Sequence, residues 1–289
     1  MHELRTITDA RMFPSALVGE PVAVGTVLGG RYSVRRFVAA GGMGEVYEAD
    51  DQLLRDPVAI KLLRTDLIRK PGAQARFADE IRLARRVTHA NVCRVFDVGV
   101  DGERVFYTME LYPGTTLREH LAEHGRLSIG QAQPIVAQML AGIAAAHEAE
   151  VIHADLKPSN VLVAKNGRVI ITDFGLATPM CATLGCACSM PHLVGTPAYM
   201  APEQVSGADL VESTDLFSFG VIVFELLSGV LPWQGDNAIE LATARLERPP
   251  RSLPPEIDAK WQAVIAACLA KDPAARPKRA TDVAAALGV

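Results

Sequence analysis

Four short stretches carry side chains whose types and spacing suit the handling of phosphate. In Ile152-His153-Ala154-Asp155-Leu156-Lys157-Pro158-Ser159-Asn160, an acid is followed by a lysine two residues on and an amide five residues on. Asp155 can orient a nucleophilic hydroxyl or accept its proton. Lys157 can neutralise a migrating phosphoryl group, and Asn160 offers Mg2+ a hard oxygen ligand. Downstream, Asp173-Phe174-Gly175 supplies a second carboxylate, suited to a metal that bridges phosphates. Upstream, Val58-Ala59-Ile60-Lys61 ends an apolar run on a charge. A lysine closing a buried strand needs an anion, because an uncompensated buried charge is costly. Glu80 is the expected internal partner, on the inner stripe of a helix beside Phe77 and Ile81. A solvated lysine and a surface glutamate are the plainer alternative. Finally, Gly41, Gly42 and Gly44 lie within Ala39-Ala40-Gly41-Gly42-Met43-Gly44-Glu45-Val46. Glycines there let backbone approach phosphate oxygens closely, although a glycine-rich hairpin without a ligand fits the same residues.

These residues need elements to position them. Residues 31–39 and 45–49 alternate apolar and polar around the glycines, and 57–63 is a short apolar-rich run. Residues 92–100 and 104–109 flank Asp101-Gly102, a strong hairpin signal. Between them Phe77, Ile81, Ala84 and Val87 recur at helical spacing within 73–87. From Leu117 the pattern turns mainly helical: 131–149, 213–228, 258–270 and 280–287 read as helices, with Ser213 and Thr281 as expected N-caps. A small hairpin, 161–163 with 169–172, turns at Asn166-Gly167. The expected fold is α+β: a small β-rich lobe with one key helix, then a larger mainly helical lobe. The seam falls at 110–114. The expected division is an extension over 1–25, a first lobe over 26–111 and a second over 112–289.

Composition narrows the classes without choosing among them. The 289 residues are 49% hydrophobic and 21% charged, with net charge −4. Nucleic-acid-binding domains usually carry a basic excess, so no nucleic-acid partner is expected. The longest strongly apolar stretch, near 219–230, contains Glu225 and falls short of a membrane span. Residues 1–24 mix charges with apolar residues and lack a signal-peptide pattern; they read as a partly ordered tail or a docking segment. Five cysteines without a paired framework point to a reduced, cytoplasmic setting.

Taken in order, the glycine loop, Val-Ala-Ile-Lys, His-x-Asp-x-x-x-x-Asn, Asp-Phe-Gly and Ala201-Pro202-Glu203 follow the protein-kinase signature set. From about Thr26 onward the chain resembles the bacterial Hanks-type (eukaryotic-like) serine/threonine protein kinases. The likeness is greatest in Gly41-Gly42-Met43-Gly44-Glu45-Val46-Tyr47 and Asp155-Leu156-Lys157-Pro158-Ser159-Asn160. The resemblance implies a bilobal kinase fold that transfers the γ-phosphoryl group of ATP to protein Ser/Thr hydroxyls, with Mg2+ or Mn2+. Proteins are the implied substrates; oligomeric state is left open. Carried over residue by residue, it makes Met109 the gatekeeper and gives the Glu110 carbonyl and the Tyr112 amide to adenine. Val46 and Ala59 would cover the base from above and Leu162 from below. The same likeness has Thr196 bonding the catalytic aspartate, Asp215 anchoring the catalytic loop, and Glu203 pairing with Arg276.

Two positions depart from that pattern. Ala39 stands where the first loop glycine is usual, and its methyl restricts φ. Ala154 stands where an arginine that receives an activation-loop phosphate is usual, so dependence on such a phosphate is not expected. The 25 residues between Gly175 and Ala201 also hold Cys181, Cys186, Cys188 and His192, four possible Zn2+ ligands. Reduced cysteines without a special role are the plainer and favoured reading, and a redox switch is a further alternative. Rival readings are a pseudokinase or nucleotide-binding scaffold, and a small-molecule phosphotransferase. Retention of Lys61, Glu80, Asp155, Lys157, Asn160 and Asp173 opposes the first, and the segment 195–203 opposes the second.

Overall fold

Alternation at period two carries the first part of the chain into a sheet. In the computed structural model, which describes residues 21–69, 72–174 and 197–289, six strands pair antiparallel. They are β1 (Val27–Leu28), β2 (Tyr32–Gly41), β3 (Gly44–Asp51), β4 (Asp56–Leu63), β5 (Val95–Asp101) and β6 (Arg104–Glu110), in the order β1-β2-β3-β4-β6-β5. Neighbouring residues on one strand enter opposite faces. Ile60 and Phe106 join Leu28, Tyr32 and Tyr47 on one side. Ala59, Tyr107 and Met109 join Phe77 and Ile81 on the other. The second pair belongs to helix α2 (Ala73–Ala84), which therefore covers the inner face.

Several local features of the first lobe differ from the sequence expectation. Helix α2 ends at Ala84 because the chain then turns, and Val87 packs into the core of the second lobe instead. A one-turn helix, α1 (Thr65–Ile68), precedes it and buries Leu67 and Ile68; one turn is too short to register as periodicity. Residues ahead of Thr26 also contribute to the first lobe. Val22 is buried and its N–H donates to the Tyr47 hydroxyl at 3.0 Å, while Gly25 N–H donates to the Val34 carbonyl at 2.8 Å.

The second lobe comprises α3 (Leu117–His124), α4 (Ile129–Glu148), α5 (Pro202–Ser206), α6 (Glu212–Ser228), α7 (Ala238–Glu247), α8 (Ala259–Cys268) and α9 (Ala280–Leu287). Ser128 and Gln131 form a reciprocal capping box that starts α4. Helix α6 is apolar nearly all round and lies at the centre, with Leu216, Phe217, Phe219, Val221, Ile222, Val223 and Leu226 fully buried. Neither expected N-cap serves as one. Val211 caps α6, with Thr214 accepting its N–H at 3.1 Å, while Ser213 donates to the Pro273 carbonyl. Arg279 precedes α9, leaving Thr281 inside the first turn. A short sheet, β7 (Thr115–Thr116), β8 (Val161–Val163) and β9 (Val169–Ile171), sits at the seam. Its tight turn uses Gly167 at φ 79°. None of the described helices is long and apolar enough to cross a membrane.

Candidate active site

The glycine loop is the bend between β2 and β3. Gly44 is fixed there by space: a β-carbon would lie 1.9 Å from the Leu62 carbonyl oxygen, and its φ is +152°. Gly41 has open space around it. Ala39 lies in β2 opposite Val46, so the strand accommodates its methyl. Behind the loop, Val46, Ala59, Met109, Tyr112 and Leu162 share one apolar cluster. Residues expected above and below a base thus converge from four separate parts of the chain. The Glu110 carbonyl accepts the Cys93 thiol at 3.6 Å, and the Arg168 guanidinium lies 5.2 Å from the centre of the Tyr112 ring.

Lys61 sits on β4 directly opposite Tyr107 on β6. Its expected partner does not hold it. Lys61 Nζ donates to Asp173 Oδ2 at 2.5 Å, while Glu80 Oε2 is buried with no hydrogen-bond partner among the described residues. Burial pushes the Glu80 carboxyl up to about 8. With Lys61 paired to Asp173, no cation offsets the burial of Glu80, and its carboxyl is pushed up for that reason. Asp173 shows the opposite balance. Burial alone would raise it, but the Lys61 charge and the hydrogen bonds from Lys61 and Tyr107 hold it below the usual range. Tyr107, fully buried, donates its hydroxyl to Asp173 Oδ1 at 2.6 Å. Asp173 itself adopts φ 63°, and Phe174 turns inward onto His153, ring centres 4.6 Å apart.

The segment 153–160 is a knot of side-chain and backbone bonds. Lys157 Nζ donates to Asp155 Oδ2 at 2.6 Å, and Asn160 Nδ2 donates to the Asp155 carbonyl at 2.9 Å and to Oδ2 at 3.2 Å. Asp155 N–H donates to His153 Nδ1, so Nε2 carries the ring proton and donates it to the Thr172 carbonyl at 2.8 Å. That bond ties the loop to the strand leading into Asp173. Asp215, fully buried on α6, accepts N–H bonds from His153 and Ala154 and a third bond from His147 Nε2, all within 2.9 Å. These donors meet the need of a buried carboxylate and hold Ala154 at φ 60°. Gln204 adds a bridge that the sequence reading missed: Nε2 donates to the Ala154 carbonyl at 2.6 Å, and Oε1 accepts Ala201 N–H at 2.9 Å. Tyr107 was missed as well. Ala154 lies 50 positions from Gln204 and Asp173 lies 66 from Tyr107, so no local pattern marks either of these contacts.

Asp173 and Asn160 carry oxygens of the kind a hard divalent cation takes, and among the described residues no group of three or more His, Cys, Asp or Glu gathers as a metal site. With Nδ2 committed to Asp155, Oδ1 is the Asn160 atom able to meet a metal. Mg2+ ordinarily takes one or two protein groups and completes its shell with water and phosphate, so a larger cluster is not required. Thr196, Gly175 and the possible zinc set Cys181, Cys186, Cys188 and His192 lie outside the described residues. Glu203, expected to pair with Arg276, does so through two bonds of 2.7 and 2.8 Å, with Thr214 as a third donor.

A sheet lobe with a glycine bend, a strand lysine and an acid–lysine–amide loop on a helical lobe define a bilobal kinase-type molecule. Residues 32–286 match the family described as the protein kinase domain. The chain belongs to that family. It is 36% identical over 258 residues to the serine/threonine-protein kinase PknA of Mycobacterium tuberculosis, covering 88% of this chain and 59% of that protein. Against PrkC of Bacillus subtilis it is 32% identical over 268 residues, 91% of this chain and 41% of that protein. The chain thus spans only part of the curated relatives it matches. Its fold matches the crystal structure of the Mycobacterium tuberculosis PknI kinase domain with a TM-score of 0.75 at 24% identity, over 93% of this chain and 98% of that one.

Proposed function

We propose that this chain is a serine/threonine protein kinase that uses ATP and Mg2+ in a cytoplasmic setting. The observation that carries the reading is the Asp155–Lys157–Asn160 knot, anchored by Asp215 and tied through His153 to the segment bearing Asp173. In-line transfer needs little covalent chemistry from the protein, so rigid placement of charge is the main requirement. Asp155 orients the acceptor hydroxyl, and Lys157 offsets charge on the transferring group. Asp173 and Asn160 would hold Mg2+, which when bound neutralises phosphate charge. Lys61 would grip the α- and β-phosphates once freed from Asp173, with Glu80 taking its ammonium. Val46, Ala59, Met109 and Leu162 would enclose adenine, with the Glu110 carbonyl and Tyr112 N–H as its polar contacts. Gly41, Gly42 and Gly44, with Ala39 at the entry, would cover the phosphates, and Thr196 would support Asp155. Protein substrates follow from the relatives' names, which are serine/threonine-protein kinases.

Incubation with labelled ATP, Mg2+ and a generic basic protein tests this directly. Label on serine or threonine supports the reading. Nucleotide binding without transfer would leave a scaffold, and label only on small molecules would point to a different phosphotransferase.

A further inference from the structure

Asp173 is claimed from both sides by the first lobe. Lys61 and Tyr107 stand opposite each other on adjacent strands, and each takes one carboxylate oxygen, at 2.5 and 2.6 Å. Tyr107 is fully buried, with its ring tilted against Phe77 of α2 at 6.0 Å, so the hydroxyl is aimed by the core rather than by chance contact. A phenol bonded to an ionised carboxylate is a charge-assisted hydrogen bond, roughly twice as strong as a neutral one. A cation approaching Asp173 competes for the same oxygens.

We propose that Tyr107 is a positioning residue that holds Asp173 in the metal-free arrangement and so weakens metal-dependent nucleotide binding. The inference rests on Asp173 being the metal carboxylate. The tyrosine acts together with Lys61. While both donors hold Asp173, Lys61 is withheld from phosphate and Glu80 stays buried without a partner among the described residues. Loss of the hydroxyl removes one of the two restraints and leaves the aromatic packing in place. The arrangement with Asp173 released is then reached at lower Mg2+ concentration.

Calorimetric titration of ADP into wild type, Tyr107→Phe and Asp173→Asn, without Mg2+ and across a Mg2+ series, tests this without reference to turnover. In Tyr107→Phe the Mg2+ concentration giving half of the metal-induced gain in ADP affinity should fall roughly three- to tenfold. Without a competing cation the Lys61–Asp173 pair remains in the variant, so metal-free ADP affinity should stay as in wild type. Tyr107→Leu, which also lacks the hydroxyl, guards against a packing artefact and should shift the same way. An unchanged or raised Mg2+ requirement in both variants overturns the proposal. Asp173→Asn separates the two layers. If it keeps the full Mg2+ gain, Asp173 is not the metal ligand and the underlying reading fails. If it loses the gain while Tyr107→Phe matches wild type, only the role of Tyr107 fails.

Discussion

Lys61 pairs with Asp173, and Glu80 is left buried without a hydrogen-bond partner for Oε2 among the described residues. Because burial raises Glu80 to about 8, the folded protein keeps a proton that the unfolded chain releases above about 4.5. A raised carboxyl contributes against folding as pH climbs: nothing below about 4.5, a growing penalty up to about 8, and a constant one beyond. Glu80→Gln carries no such penalty. Its melting temperature, measured without nucleotide, should exceed that of wild type at pH 8, with the gap closing towards pH 5. A gap that stays constant, or widens in acid, contradicts the burial argument. Lys61→Met and Asp173→Asn should each lower phosphotransfer by about two orders of magnitude or more, since both remove charge at phosphate or metal. Both should still fold, as circular dichroism can check. The acid, lysine and amide of 155–160 were legible in the sequence because their spacing is local. The partner of Lys61 was not, because Asp173 lies 112 positions away and only the fold brings the two together. Tyr107 reads as ordinary strand core until Asp173, 66 residues away, is brought beside it.

At the scale of elements, the glycine bend and the Gln204 bridge carry the clearest consequences. Gly44→Ala places a methyl onto the Leu62 carbonyl and must part β3 from β4. Denaturant unfolding should show a loss of about 1–3 kcal/mol, accompanied by weaker nucleotide binding. Gly41→Ala meets open space and should cost less than about 1 kcal/mol, so equal effects would contradict the steric account. Gln204 joins the carbonyl of Ala154 to the N–H of Ala201 by neutral hydrogen bonds. That tie holds the residue before Asp155 without an arginine or a phosphate. Replacing Thr178, Thr183 and Ser189 together by alanine should therefore leave most activity, whereas Gln204→Ala should lose roughly tenfold or more. Loss in the triple variant, restored by acidic replacements, would show that another cation does the work of the absent arginine. The main strands and helices α2, α4, α6, α8 and α9 were readable from periodicity; α7, as long as α8, was not. Helix α1 and the caps at Val211 and Arg279 were not, because they answer to tertiary packing rather than to residue type.

Across the whole molecule, the second lobe is braced by the Glu203–Arg276 pair, which links α5 to the segment ahead of α9. Arg276 is fully buried at its side chain and also donates to the carbonyls of Ser213, Ala270 and Lys271. Removing one partner of such a pair strands the other charge, so Arg276→Met should cost about 3–5 kcal/mol in denaturant unfolding. A cost below about 1 kcal/mol would mean that water reaches Glu203. This pairing followed from family resemblance alone, since 73 residues separate its members. The two-lobed α+β plan was legible directly, because the change from period two to helical spacing falls at the seam. Packing of Val22 against the first lobe was not, as one apolar residue in a charged segment gives no pattern. The central claim is that the anchored Asp155 loop transfers phosphate to protein hydroxyls. Its most direct test compares wild type with Asp155→Asn, using labelled ATP, Mg2+ and a protein acceptor, with ADP binding measured in parallel. Label should reach serine or threonine with wild type and fall by several orders of magnitude in the variant, while ADP affinity is kept. Equal labelling by the two proteins, or none by either despite normal ADP binding, would contradict it.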